Sequence, residues 1–145
     1  MKHHSPALLL AALLACTTSW ADDAAPAAAP VPVTSADSIA APAAAGDARP
    51  VLLDVRTREE FTAGHVPGAI NIPVQELESR LGEISPLHDK PLVVYCRSGH
   101  RAGIALQLLA SKGYTKISHL EGDMQGWTAA GRPVETGDAA GAHKP

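Results

Sequence analysis

A single cysteine lies between an apolar run and a helix-like run in VVYCRSGHRAGIALQLL, residues 93–109. Two arginines, Arg97 and Arg101, follow Cys96 within five residues. Inert cysteines are usually buried among apolar side chains, so charged neighbours favour a reactive role over a structural one. The sequence therefore predicts that Cys96 is a nucleophile.

Three features near Cys96 favour the thiolate, which is the form of cysteine that attacks. A helix that begins near Arg101 directs its positive end at the loop. A tight turn containing Gly99 directs backbone N–H groups inward and forms a nest for an anion. Arg97 and Arg101 add permanent positive charge. The same cradle would hold an anionic substrate beside the sulfur.

The spacing between the cysteine and the second arginine separates two classes of enzyme that use such loops. Cysteine-dependent phosphatases need C-x5-R, a loop wide enough for a phosphoryl group. Here the spacing is C-x4-R, because Arg101 lies five residues after Cys96 and the next position is Ala102. The smaller loop suits a smaller reacting atom, such as sulfane sulfur.

Four apolar segments predict the strands that position this loop: 51–55, a few residues from Ala69, 91–96 and 116–120. Short apolar runs are typical of strands that are buried on both faces. Because helix-like segments alternate with them, we expect a single α/β domain with a mostly parallel sheet and helices on both faces. Catalytic groups in such folds lie beyond the carboxyl ends of strands, where Cys96 lies.

Helix signals fall between these segments. Thr57 and Glu60 have capping-box spacing, so a helix should begin there, with Glu59 and Glu60 in its cap and solvated face, and end at Gly64. Three further helices are expected: one opened by Pro73 with an apolar stripe of Val74, Leu77 and Leu81, one ended by Gly113, and one over 124–130.

Three stretches resemble the single-domain rhodanese (thiosulfate sulfurtransferase) family: LLDVRTREEFTAGHVPGAINIP, CRSGHR and LEGDMQGWTAAGRPV. They cover most of the chain from Val51 to about Thr136, in the expected order. The resemblance implies a rhodanese-like fold and a catalytic Cys96 that takes sulfane sulfur from thiosulfate or a similar donor as a persulfide. It also implies that cyanide or a thiol then accepts the sulfur. The substrate-binding residues that it implies are Arg97, Ser98, Gly99, His100 and Arg101.

Other positions match or depart from the family pattern. Asp54 and Arg56 match its Asp-x-Arg, and we interpret them as a pair that supports the loop. Ala102 stands where serine often follows the loop, and Asp123 stands where a second glycine often follows Gly122. Asp123 is expected either to cap the last helix or to tighten substrate access.

No metal site and no organic cofactor is predicted. His88, His119 and His143 are scattered, without the spacing of metal ligands. His65 is interpreted as fixing a turn, His100 as lying at the pocket rim, and Trp127 as core packing.

Composition limits the partners. The net charge is −3 at pH 7, aromatic residues make up 3% of the chain, and no basic run is present, so nucleic acid is not an expected partner. The expected partners are a small anionic sulfur donor and a thiol or cyanide acceptor. The alternative is a membrane-tethered or periplasmic carrier or docking module that acts through a protein sulfur acceptor.

Residues 1–21 have the pattern of a signal peptide, with Lys2 at the start, an apolar stretch and the small-x-small site Ser19-Trp20-Ala21. Cleavage there would give a periplasmic or secreted protein with Cys96 as its only thiol, which favours a reactive role. The alternative is LLAC at 13–16, a lipoprotein site that would anchor the chain to a membrane through Cys16.

The predicted organisation has three further parts. Residues 22–48 form an Ala/Pro-rich tether, because 13 alanines and 4 prolines in residues 21–48 cannot build a core. The alternative is that the folded part starts near residue 31, because residues 34–37 have the pattern of a weak helix start, which Pro42 would cut short. Residues 49–136 form the rhodanese-like domain and 137–145 a flexible tail.

Overall fold

The computed structural model describes residues 30–41 and 49–138. The predicted signal peptide and most of the predicted tether and tail lie outside these residues. The strands are β1 (Val33–Thr34), β2 (Val51–Asp54), β3 (Ile70–Asn71), β4 (Leu92–Tyr95) and β5 (Ile117–Leu120). The helices are α1 (Ala36–Ala40), α2 (Arg58–Ala63), α3 (Leu81–Ile84), α4 (His100–Ser111) and α5 (Asp123–Ala129), with a 3₁₀ turn at Ser85–Leu87.

The five strands form one sheet in the order β1-β5-β4-β2-β3, and every neighbouring pair is parallel. The central strands β2 and β4 pair from Val51 with Leu92 to Asp54 with Tyr95. Since the carboxyl ends of parallel strands meet at one edge, the residues that follow β2 and β4 lie side by side there. Cys96 follows β4 in the middle of that edge.

Alternate residues of the central strands face two separate hydrophobic cores. Leu53 and Val94 belong to the core under α4, and Leu52 and Val93 to the core under α2 and α5. This alternation follows from the two-residue repeat of a strand. The predicted α/β architecture, with a parallel sheet and helices on both faces, is confirmed.

Helix α2 begins as the sequence predicts. The Thr57 hydroxyl accepts the Glu60 N–H at 3.3 Å, and the Glu60 carboxylate accepts the Thr57 N–H at 3.2 Å. Gly64 is the C-terminal cap. The capping box thus fixes the start of the helix that faces the Cys96 loop.

The helix expected from Pro73 is wrong in its start. Residues 74–80 form successive turns, and α3 begins only at Leu81. The Val74 N–H donates to the Val55 carbonyl at 3.1 Å and holds the chain against the end of β2. The Glu76 and Leu77 N–H groups donate to carbonyls three residues earlier, so this stretch forms turns and not an α-helix. Leu77, from the predicted apolar stripe, is nevertheless fully buried.

The segment before residue 42 adds an edge strand that the sequence did not predict. Thr34 pairs with Leu120 of β5, and its hydroxyl lies 2.6 Å from that of Ser118. Ser35 then caps α1. A two-residue strand beside Ala/Pro-rich sequence has no alternation to reveal it.

None of the helices within residues 30–41 and 49–138 is both long and apolar enough to cross a membrane.

Candidate active site

Cys96 lies at the bottom of a tight loop between β4 and α4. Cys96 is 1% exposed, and its Sγ accepts the Gly99 N–H at 3.1 Å. Gly99 has φ +101°, a conformation that side chains rarely adopt. A Cβ there would also lie 3.2 Å from an Asp123 carboxylate oxygen. Glycine is therefore needed to bring this N–H onto the sulfur.

The remaining loop residues line the approach to Cys96. Arg97, Ser98 and His100 are exposed, and His100 is the first residue of α4. Arg97 forms no ion pair with any residue in the part of the chain that the structure describes. Its guanidinium is therefore available to an anion in solution.

Helix α5 holds the backbone of Cys96 from the other side. The Cys96 N–H donates to Oδ1 of Asp123 at 2.8 Å, and the Cys96 carbonyl accepts the Met124 N–H at 3.0 Å. The Arg97 carbonyl accepts the Gln125 N–H at 3.1 Å. Cys96 is thus fixed by β4, by α5 and by the N-terminal cap of α4.

Asp123 does not cap α5 with its side chain, so that expectation is wrong. Its backbone has φ +53°, uncommon for a residue other than glycine, and the residue is 3% exposed. The carboxylate binds the Cys96 N–H instead, and Nε2 of His119 lies 3.0 Å from it. The contact between His119 and Asp123 was not predicted from the sequence. The signals that could have shown it are their four-residue separation and the absent second glycine.

Arg101 is paired with an acidic residue that the sequence analysis did not connect to the loop. Its two terminal nitrogens lie 2.6 and 3.0 Å from the two carboxylate oxygens of Glu60. The hydrogen bonds from Arg101 lower the pKa of Glu60 to about 2. In turn, the hydrogen bond to Glu60 raises the pKa of Arg101, and the Cys96 thiol contributes in the same direction. Glu60 therefore keeps its predicted place in the cap of α2 and also binds Arg101, a contact that the sequence did not indicate.

The ion pair between Glu60 and Arg101 should make the unfolding free energy fall as the pH becomes acidic. Because the pKa of Glu60 falls from 4.5 to about 2 on folding, its contribution is complete above pH 4.5 and is lost as pH falls towards 2. Glu60→Gln is expected to reduce the unfolding free energy by about 0.5–1 kcal/mol at pH 7, since the pair is partly exposed. Urea unfolding at pH 7 and pH 3 should show that loss shrinking at the lower pH. The same loss at both pH values, or an equal loss in Glu59→Gln, would contradict this.

Asp54 and Arg56 form a buried ion pair, as the sequence predicts that they pair, and their support of the loop stays a prediction. The Arg56 Nη2 lies 2.6 Å from Asp54 Oδ2, and the same nitrogen donates to the Gly64 carbonyl at 2.8 Å. Burial lowers the pKa of Arg56, the Asp54 carboxylate raises it, and the net pKa is raised. The pair joins the end of β2 to the end of α2.

Two further predicted residues lie outside the loop. Nδ1 of His65 is 2.9 Å from the Phe61 carbonyl, and its ring stacks on Phe61. Trp127 is buried, and its indole N–H donates to the Pro133 carbonyl. In the described residues, no group of three or more His, Cys, Asp or Glu could hold a metal ion.

An open groove of about 440 Å³ runs beside the loop, between α2 and α5. Arg56 and Glu60 line one side, and Arg97, Met124 and Gln125 line the other. Arg97 therefore belongs both to the Cys96 loop and to the groove.

The fold and the cysteine loop together define a class of protein. The family model for the rhodanese-like domain matches residues 35–130. The chain therefore belongs to the rhodanese-like family of sulfurtransferases.

Two relatives show how varied the family is. The chain is 41% identical over 108 residues to a human thiosulfate:glutathione sulfurtransferase, covering 66% of this chain and 92% of that one. It is 41% identical over 92 residues to an HTH-type transcriptional regulator of Mycobacterium tuberculosis, covering 62% of this chain and 39% of the regulator. The match thus spans well under half of the regulator's length.

A solved structure gives the same fold. An Escherichia coli structure described as a rhodanese with anions superposes with a TM-score of 0.51 and 32% identity. The match covers 60% of this chain and 98% of that one.

Proposed function

We propose that the protein is a thiosulfate sulfurtransferase that works through a persulfide on Cys96. The observation that carries the proposal is the geometry of the six-residue loop. It holds the Cys96 sulfur against the Gly99 N–H at the start of α4, and the exposed Arg97 follows Cys96 directly. The relatives named as sulfurtransferases support this reading.

In the first half-reaction, the Cys96 thiolate attacks the outer sulfur of thiosulfate. The bond between the two sulfurs of the donor breaks, and its electron pair leaves with sulfite. The new S–S bond makes a persulfide anion on Cys96, so charge and atoms balance without an added proton. Three groups stabilise the negative charge during transfer: the Gly99 N–H, the N-terminal end of α4 and Arg97.

In the second half-reaction, cyanide or a thiolate attacks the terminal sulfur of the persulfide. Thiocyanate or an acceptor persulfide leaves, and the Cys96 thiolate returns. The groove beside Arg97 gives the acceptor space next to the loop. The sulfur itself is nearly inaccessible, so a slim nucleophile is favoured over a bulky one.

The test is an intact-mass measurement of the protein after thiosulfate, followed by cyanide. We expect one added sulfur atom, which is removed with release of thiocyanate. Persulfide formation without turnover on cyanide or small thiols would instead support the carrier alternative. Absence of the added sulfur would overturn both. Measured on protein from the native cell, the same mass would distinguish cleavage after Ala21 from lipidation at Cys16.

Loop size gives a separate prediction. The protein should release no phosphate from aryl phosphates, because C-x4-R leaves no room for a phosphoryl group. Phosphate release would be assayed beside thiocyanate formation on the same preparation. Phosphatase turnover comparable with sulfur transfer would show that the argument from loop size is incorrect.

A further inference from the structure

Two acidic residues offset part of the positive charge around the Cys96 loop. Arg101 points both of its terminal nitrogens at the Glu60 carboxylate. Asp123 adds a buried negative charge beneath the Cys96 N–H. Arg97 is left as the loop cation without a counter-ion among the described residues. Such a site offers less net positive charge than its two arginines suggest.

We propose that Glu60 determines the charge preference of the sulfur donor, by cancelling the charge of Arg101 beside Cys96. The site then accepts singly charged sulfane compounds, such as organic thiosulfonates, as donors beside doubly charged thiosulfate. The inference rests on the proposed function for the identity of the reaction. Glu60 acts through Arg101, so it is a positioning residue and does not touch the donor.

Three observations make Glu60 suitable for this role. Its carboxylate accepts the Thr57 N–H in the capping box, so its position does not depend on Arg101 alone. Its side chain is 30% exposed and that of Arg101 25%, so solvent screens the pair only in part. Its neighbour Glu59 lies on the same helix but is exposed and forms no ion pair within the described residues.

Thiosulfate and methanethiosulfonate provide the comparison, since both present a sulfane sulfur on a sulfonyl centre and differ by one charge. In each case the thiolate takes the sulfane sulfur, and the electron pair leaves with sulfite or methanesulfinate. Glu60→Gln keeps an oxygen for the Thr57 N–H and removes the charge. We expect the ratio of kcat/KM for thiosulfate to that for methanethiosulfonate to rise about fivefold, as one freed charge at a partly screened distance would cause.

Two variants serve as controls. Glu59→Gln changes the net charge equally and should leave the ratio within about twofold of the natural value, because it does not face the loop. In Glu60→Gln/Arg101→Gln both charges are gone, and the ratio should return close to the natural value even though overall activity falls. Because both donors are measured on one preparation, a fraction of unfolded protein cancels from the ratio. An unchanged ratio in Glu60→Gln, or an equal rise in Glu59→Gln, would overturn the proposal.

A measurement without sulfur transfer separates this inference from the proposed function. Cys96 is alkylated with iodoacetate, which is charged, and with iodoacetamide, which is neutral. Glu60→Gln should increase the rate ratio of the two reagents about fivefold at low salt, and less at 1 M salt, where the screening length is ~3 Å. If this shift occurs but no persulfide forms, the proposed sulfurtransferase function is refuted, and the effect of Glu60 on the charge of the site is supported. An unmoved alkylation ratio with normal turnover would refute only the role of Glu60.

Discussion

Cys96→Ser is expected to lose persulfide formation and to reduce thiosulfate:cyanide transfer by about a thousandfold or more. Serine has nearly the same size and can still accept the Gly99 N–H, but its hydroxyl does not attack sulfane sulfur at neutral pH. Thiocyanate formation and intact mass would be compared with the natural protein. Because Cys96 is the only cysteine within the described residues, the described part holds no second thiol to replace it.

The control for Cys96→Ser is its unfolding free energy, which should stay within about 1 kcal/mol of that of the natural protein, because the two side chains have nearly the same size. Cys96→Ala gives a second reading without a hydroxyl in the loop. Transfer retained by both folded variants would exclude Cys96 as the nucleophile.

Arg56→Met is expected to destabilise the domain by about 3–5 kcal/mol, because it leaves the Asp54 carboxylate buried without its counter-ion. Asp54 is fully buried, and Arg56 binds both of its oxygens. A loss of this size is a large part of the total stability of a small domain. Urea unfolding measures it directly.

The chain offers a matched control for this substitution two residues further on. Arg58 pairs with Asp138 at 2.6 Å, but both side chains are more than half exposed. Arg58→Met should therefore cost less than about 1 kcal/mol. Similar losses for the two variants would show that burial of the Asp54 pair does not determine its contribution.

The sequence predicted the elements whose signals are local. The Thr57 capping box, the apolar runs of β2 and β4 and the glycine that ends α2 each depend on neighbours within a few residues. The position of Cys96 after β4 followed from the same local signals. The predicted start of the helix at Pro73 failed, because the backbone there closes turns with hydrogen bonds between residues three apart.

The contacts that shape the site were not predictable in this way. Glu60 and Arg101 are 41 residues apart, and Cys96 and Asp123 are 27 apart. The capping-box spacing relates Glu60 to Thr57, but no local signal relates it to the loop, and only the packing of α2 brings its carboxylate to Arg101. Asp123 was noticed as a departure from glycine, yet its positive φ and its partner emerged only in three dimensions.

The hold of α5 on Cys96 has a consequence for the energetics of donor binding. Asp123 and Met124 bind the N–H and the carbonyl of the same residue, while Gly99 caps the start of α4 three residues later. A loop fixed at both ends has few conformations to lose when an anion enters. The conformational entropy cost of binding is therefore met largely during folding, and the cradle is preorganised for both half-reactions.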